Sequence, residues 1–311
     1  MSEQKIAFVF PGQGSQAVGM LADLYESNAC VKQTFEQASD ALGYDLSKII
    51  LEGPAEDLGK TEITQPALLT ASTAIYRLLG EKGAAQPAFM AGHSLGEYSA
   101  LTAAGVIAFE DAVKLVELRG KAMQQAVPQG VGAMAAIIGL DDQAVIDACA
   151  QASGTEIVAA VNFNSPGQVV IAGHKAAVDA ASVLCKEAGA KRALPLPVSV
   201  PSHCELMKPA AEQLAQALAD IKFSAPEISV VNNVDVKVET SAEAIQQALV
   251  RQLYCPVRWT ETVQYLADQG VTQLVEVGPG KVLNGLTKRI VKTLTAVSVN
   301  NEATLESYIN G

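Results

Sequence analysis

Short unbroken apolar runs alternate along this chain with longer stretches whose apolar residues recur every three or four positions. An unbroken run of about five residues reads as a strand buried on both faces, and the longer period as a helix with one apolar side. On that basis strands are expected at 6–10, 87–91, 131–139, 157–163, 168–172, 192–198, 228–232, 273–277 and 293–299. Helices are expected from near Met20 and at 31–42, 64–79, 95–104, 109–127, 142–152, 175–188, 205–220, 242–253, 258–269 and 281–291. Prolines and glycines punctuate the pattern. Pro128-Gln129-Gly130 closes one helix, and Pro66 is expected in the first turn of another, where its missing N–H costs nothing.

Between 131 and 198 the order becomes β-α-β-β-α-β, the ferredoxin-like pattern, bounded by Pro128 and by Pro195, Pro197 and Pro201. Elsewhere strand and helix alternate, as in a largely parallel sheet with helices on both faces. The expected fold class is α/β. A large domain at 1–127 and 199–311 carries the parallel sheet, and 128–198 forms an inserted ferredoxin-like subdomain.

One turn in this pattern carries chemistry. Ala91-Gly92-His93-Ser94-Leu95-Gly96-Glu97-Tyr98 joins an apolar run to a helix-forming run and contains G-x-S-x-G. A sharp strand-to-helix turn there exposes the Ser94 hydroxyl at a helix N-terminus, and the flanking glycines remove Cβ atoms that would collide. The plainer alternative is a glycine-rich turn in which Ser94 merely caps the helix. A serine nucleophile needs a base, and the chain has only three histidines. His93 neighbours Ser94, so it should point away from it and at most line the site. His174 opens a helix of the insert and reads as structural. His203, in Pro201-Ser202-His203-Cys204, lies where the chain re-enters the large domain, and by elimination it is the base; the alternative is a surface histidine near a helix start. No acidic residue is marked by a motif as its orienter, and a neutral carbonyl could hold the imidazole instead. Such a partner stabilises imidazolium less than a carboxylate does, which suits an enzyme that holds an acyl-serine without rapid hydrolysis.

An oxyanion hole needs two donors. The Leu95 N–H is one by elbow geometry, and the Gly12-Gln13-Gly14 loop can bring a second. The rival reading of that loop, a phosphate cradle, lacks both the dinucleotide spacing and a Gly-Lys-Ser/Thr. Arg119 sits among Val113, Leu115, Val116, Leu118 and Met123; it is either a salt-bridged surface residue or a fork for a substrate carboxylate.

Composition narrows the partners. The 22 basic and 33 acidic residues give a net charge of −11, which argues against nucleic acid or an anionic membrane. Positive charge survives locally as Lys191-Arg192 and Lys288-Arg289. The five cysteines, Cys30, Cys149, Cys185, Cys204 and Cys255, form no C-x-x-C, so neither a metal site nor a disulfide framework is expected. Residues 1–5 open onto a strand without a secretory pattern, and the longest apolar stretch, 131–140, is too short to span a bilayer. A cytoplasmic location is expected.

Seven motifs occur in order: Phe10-Pro11-Gly12-Gln13-Gly14-Ser15-Gln16, Thr64-Gln65-Pro66-Ala67, Gly92 to Tyr98, Arg119-Gly120-Lys121-Ala122-Met123, Asn162 to Gln168, Pro201-Ser202-His203 and Glu276-Val277-Gly278-Pro279-Gly280. With them the chain closely resembles the bacterial malonyl-CoA:acyl carrier protein transacylases, acyltransferases of type II fatty acid biosynthesis. The resemblance implies an α/β-hydrolase-like large domain with a ferredoxin-like insert. It implies a ping-pong reaction in which Ser94 takes malonyl from coenzyme A and hands it to the phosphopantetheine thiol of acyl carrier protein. It assigns His203 as base, the Gln252 backbone carbonyl as its orienter, Gln13 and Leu95 as oxyanion amides and Arg119 as the carboxylate clamp. Gln65 and Asn162 match positions that line the pocket. No cofactor is implied beyond the substrates' own coenzyme A and phosphopantetheine, and the expected assembly is a monomer. Two other readings compete: a serine esterase or thioesterase of α/β-hydrolase type, which passes the acyl group to water, and a non-catalytic docking subunit.

Overall fold

The computed structural model describes residues 5–198 and 200–311. Among these residues nine strands form two sheets: β1 (Ile6–Phe10), β2 (Phe89–Gly92), β3 (Gly132–Ile138), β4 (Val158–Ser165), β5 (Gln168–His174), β6 (Arg192–Pro195), β7 (Ser229–Val231), β8 (Gln273–Val277) and β9 (Thr295–Val299). The first sheet runs β7-β2-β1-β8-β9 with every neighbour parallel. The second runs β4-β5-β3-β6 with every neighbour antiparallel. The expected α/β class and the β-α-β-β-α-β order within the second unit are both present. Among the described residues no helix is long and apolar enough to cross a membrane.

The unbroken apolar character of β1 has a direct cause. Ile6, Phe8 and Phe10 point into one core, with the helices Thr61–Glu81 and Phe109–Ala126, while Ala7 and Val9 point into another, with Trp259, Val263 and Leu283. Both faces are covered, so no position can be polar. The second sheet also has two apolar faces. Ala135, Ile137, Val169 and Ile171 pack on the helices Asp142–Ala152 and Lys175–Glu187, whereas Met134, Val161, Val170 and Ala172 face Cys204 of the large unit. The two units are laced together at Val257, whose N–H donates to the Val161 carbonyl (2.8 Å) and whose carbonyl accepts from Phe163 N–H (3.0 Å).

Several expectations shift. The helix placed at 64–79 spans Thr61–Glu81, so Pro66 lies in its second turn rather than its first. Pro66 there leaves the Glu62 carbonyl without its helical donor, a cost offset by burial of most of the helix. Strand β6 ends at Pro195 instead of 198, and Asn164, expected in a turn, belongs to the bulged strand β4. Helices Leu46–Glu52, Ala55–Leu58 and Glu302–Asn310 were not expected, because each is too short to show a clear period. The expected boundary at 199 falls outside the described residues.

Helices Thr61–Glu81 and Phe109–Ala126 cross at Gly120, where a Cβ would lie 2.7 Å from Glu62 Cα and from the Thr61 carbonyl oxygen. Gly→Ala inside a helix ordinarily gains about 1 kcal/mol. Here the backbone contact reverses the sign: Gly120→Ala is expected to lose about 2 kcal/mol in urea unfolding and to displace the adjacent Arg119.

Candidate active site

Ser94 occupies the turn between β2 and helix Leu95–Ala103 with φ of 52° and ψ of −109°, a conformation that non-glycine residues rarely adopt. The neighbours explain how it is held. A Cβ on Gly92 would overlap the Gly96 carbonyl, and one on Gly96 would overlap the Phe10 carbonyl, so strand, turn and helix touch through bare backbone. The Asn233 side chain bridges the turn, its amide donating to the Gly92 carbonyl (2.7 Å) and its oxygen accepting from Ser94 N–H (2.8 Å). Ser94 makes no side-chain capping bond to its helix, so the simple cap reading fails.

The hydroxyl instead meets His203. Ser94 Oγ lies 2.8 Å from His203 Nε2, and His203 Nδ1 lies 2.7 Å from the Gln252 carbonyl oxygen. A carbonyl can only accept, so Nδ1 carries the proton and Nε2 is free to take the serine's. His203 itself has φ of 66°, and its N–H donates to the Leu253 carbonyl (3.0 Å). It is a buried residue, not the surface histidine of the alternative reading. Burial first, and the Arg119 charge second, push its pKa down to about 3.

Arg119 is 1 % exposed and has no carboxylate partner among the described residues, which removes the surface salt-bridge reading. Nη1 donates to Gln65 Oε1 (2.8 Å); Nη2 donates to Gln252 Oε1 (2.9 Å) and to Ser94 Oγ (3.3 Å). Its charge also lies over the Tyr98 ring, 5.2 Å from the centroid. Two amide oxygens thus hold a cation that nothing neutralises directly, with one edge facing the serine.

Gln13, His93, Leu95, Arg119, Asn162 and Met134 line a cavity of about 120 Å³ around Ser94 and His203. Gly12 packs so closely on the His93 carbonyl that a Cβ would overlap it, which brings the Gln13 loop beside the elbow. Neither Gln13 N–H nor Leu95 N–H donates to a protein acceptor among the described residues. His93 points away from Ser94 onto Asn164 Oδ1 (2.8 Å) and the Trp259 ring. Asn162 Oδ1 is buried without a partner among the described residues. His174 Nδ1 accepts from Ile157 N–H (3.0 Å), a structural role within the insert.

All nine expected site residues therefore gather in one place. Two participants were not anticipated in these roles. Asn233 has no motif, and Glu97, within the elbow motif, turns inward to accept from Gln252 Nε2 (2.8 Å) and Asn233 N–H (2.9 Å). Its place three residues after Ser94, on the first helical turn, was the only available signal.

The acyl transferase domain model matches residues 7–309. A malonyl CoA-acyl carrier protein transacylase of Haemophilus influenzae is 68% identical over 98% of this chain and 98% of its own length. An acyl carrier protein S-malonyltransferase from Vibrio cholerae, solved by crystallography, is 66% identical with a TM-score of 0.96 over 98% of this chain and 99% of its own. A malonyl-transacylase solved in complex with a type II polyketide synthase acyl-carrier protein is 62% identical, with a TM-score of 0.98 over 99% of both chains.

The depressed His203 pKa carries a stability signature. The folded state resists protonation between the ordinary value of about 6.5 and about 3, while the unfolded chain accepts the proton. Stability from this group is full above about pH 6.5 and falls as pH drops through that window. His203→Asn is expected to show a smaller fall in Tm between about pH 7 and about pH 5 than the parent.

Proposed function

The chain belongs to the acyl transferase domain family, and we propose that it works as a malonyl-CoA:acyl carrier protein transacylase by a ping-pong acyl-serine mechanism. The observation that carries this reading is the conjunction of a nucleophile–base pair, Ser94 and His203, with a buried, unneutralised Arg119 at 3.3 Å from the nucleophile. The pair performs acyl transfer; the cation selects an acyl group that ends in a carboxylate.

Ser94 Oγ gives its proton to His203 Nε2 and attacks the thioester carbonyl of malonyl-CoA. The Leu95 and Gln13 N–H groups receive the oxyanion. As the C–S bond breaks, the imidazolium returns the proton to the departing thiolate, leaving malonyl-Ser94. In the second half His203 takes the proton of the phosphopantetheine thiol, whose sulfur attacks the ester, and the proton returns to Ser94. The Gln252 carbonyl keeps His203 in the tautomer both halves need.

Arg119 links binding to reactivity. Burial is the main cause of the depressed His203 pKa and the Arg119 charge adds to it, so a malonyl carboxylate docked on the guanidinium relieves the second part and raises basicity when the right substrate is present. A charge-assisted Arg–carboxylate contact is worth about 1.5–3 kcal/mol, or roughly ten- to over a hundredfold. An acetyl group leaves the cation desolvated and unpaired. Gln65 orients the guanidinium, while Asn162 and His93 border the substrate.

The parallel sheet with its helices is read as an α/β-hydrolase-like catalytic domain, residues 1–127 and 199–311. The antiparallel unit is read as a ferredoxin-like insert, residues 128–198. The insert brings Lys191 and Arg192 to the end of β6, where Arg192 pairs with Ile138 and Ile138 with Gln168. From the other side Arg289 Nη1 reaches Gln168 Oε1 (3.2 Å). The two exposed basic pairs thus flank one strand end, a positive patch on an otherwise acidic protein and suited to an acidic carrier.

Incubation with malonyl-CoA alone is expected to give a stable malonyl adduct on Ser94 by mass spectrometry; rapid release of free malonate overturns the transferase reading in favour of a hydrolase. In the same assay Arg119→Ala is expected to lose malonyl loading at least tenfold more than acetyl loading; equal losses remove the clamp. Arg192→Glu with Arg289→Glu is expected to raise KM for carrier protein severalfold while leaving KM for malonyl-CoA unchanged, measured in steady-state transfer.

A further inference from the structure

Glu97 is 2 % exposed and hydrogen-bonded into the catalytic network, and no step of the transfer above uses it. It lies one turn into the helix that begins at the nucleophile, so its carboxylate runs beneath the elbow. Its Oε2 accepts from Gln252 Nε2 (2.8 Å) and Asn233 N–H (2.9 Å). These two residues hold the reacting pair. The Gln252 carbonyl receives His203 Nδ1–H, and the Asn233 side chain clamps Gly92 and Ser94. With Nε2 given to Glu97 and to the Ser94 carbonyl (3.0 Å), the Gln252 oxygen is left facing Arg119.

Charge balance supplies the reason. When His203 takes the Ser94 proton it becomes a second cation beside Arg119, with only a neutral carbonyl on its far nitrogen. A carboxylate bonded directly to Arg119 would occupy the fork meant for substrate. One amide further back, a carboxylate offsets the positive charge and leaves the fork free. We propose that Glu97 is a positioning residue for His203, acting through Gln252: it fixes the Gln252 amide and provides the buried negative charge against which the imidazolium forms. This inference rests on the acyl-serine mechanism above.

Glu97 also borders a cavity of about 10 Å³ shared with Asn232 and Glu239, and Asn232 Nδ2 is buried without a partner among the described residues. Both bonds from Gln252 and Asn233 fall on Oε2, so the carboxyl can gain or lose a proton at Oε1 without breaking them. Burial pushes its pKa up to about 7, against the pull of Gln252, Asn233 and Arg119, with Asp235 adding to the rise. The charged and titratable groups around it are Arg119, Asp235, Glu239, Tyr98 on its own helix, and His203 beyond Gln252. His203, held down to about 3, is already neutral across the range in which Glu97 titrates.

Glu97→Gln keeps an oxygen for Gln252 and Asn233 and removes the charge. The rate of acyl-Ser94 formation at about pH 8 is expected to fall about tenfold, with malonyl-CoA and acetyl-CoA alike. The parent's rate is expected to fall below about pH 7, and the variant's to stay flat there. A carboxyl pKa raised on folding favours the fold only where the group is protonated, so this contribution is lost as pH rises from the unfolded value through about 7. The Tm of Glu97→Gln at about pH 8 is therefore expected to equal or exceed the parent's. An unchanged rate, a loss confined to malonyl-CoA, or a loss that tracks a lowered Tm overturns the proposal. A parent that forms no acyl-Ser94 overturns the mechanism beneath it.

Discussion

A buried arginine with no carboxylate bonded to it among the described residues is the constraint on which the rest of this structure depends. Taking a guanidinium out of water costs several kcal/mol unless its donors are satisfied. Here Gln65 and Gln252 satisfy two of them with neutral oxygens, Tyr98 offers a ring face, and Arg119 Nε has no hydrogen-bond partner among the described residues. The arrangement stops short of neutralisation. A full ion pair would be more comfortable for the resting protein and would leave the guanidinium no free edge toward Ser94. Burial holds His203 below its ordinary pKa and the Arg119 charge adds to it, so the two side chains are coupled by electrostatics as well as by the Gln252 bridge.

Backbone contact is the second constraint. Gly12 lies on the His93 carbonyl, Gly92 on Gly96, Gly96 on Phe10, and Gly120 on Thr61 and Glu62. Each contact fixes a functional neighbour: the Gln13 amide, the Ser94 turn and the Arg119 side chain. These positions are rigid because any side chain would collide with main chain, which cannot move aside as a flexible side chain can. The strained φ of Ser94 and of His203 is sustained by such over-determination, with the Asn233 clamp on one and the Leu253 carbonyl on the other.

The second sheet contributes a roof rather than chemistry. One of its faces is closed by its own helices; the other, through Met134, Val161 and the bulged Asn162, meets the large unit. That apolar cover lowers the local polarity in which the Ser94–His203–Arg119 charges interact.

Much of this was legible in the chain alone. The unbroken run 6–10 announced a strand covered on both faces because five consecutive apolar side chains leave no face for water. G-x-S-x-G announced the elbow because only glycine tolerates the contacts at 92 and 96. His203 followed because three histidines leave little choice. These are local facts: composition, period and steric tolerance are properties of neighbours in sequence. The tertiary structure decided the rest. The order of the parallel sheet, the burial of Arg119, the Asn233 clamp and the inward turn of Glu97 depend on pairs far apart in the chain, 109 residues for Ser94–His203 and 155 for Glu97–Gln252. No local pattern encodes such a pairing, since an arginine or a glutamate on a helix has the same periodicity whether it faces solvent or the nucleophile. Only packing removes the water, and the removal of water turns Arg119 from a surface charge into a buried cation beside the Ser94 hydroxyl.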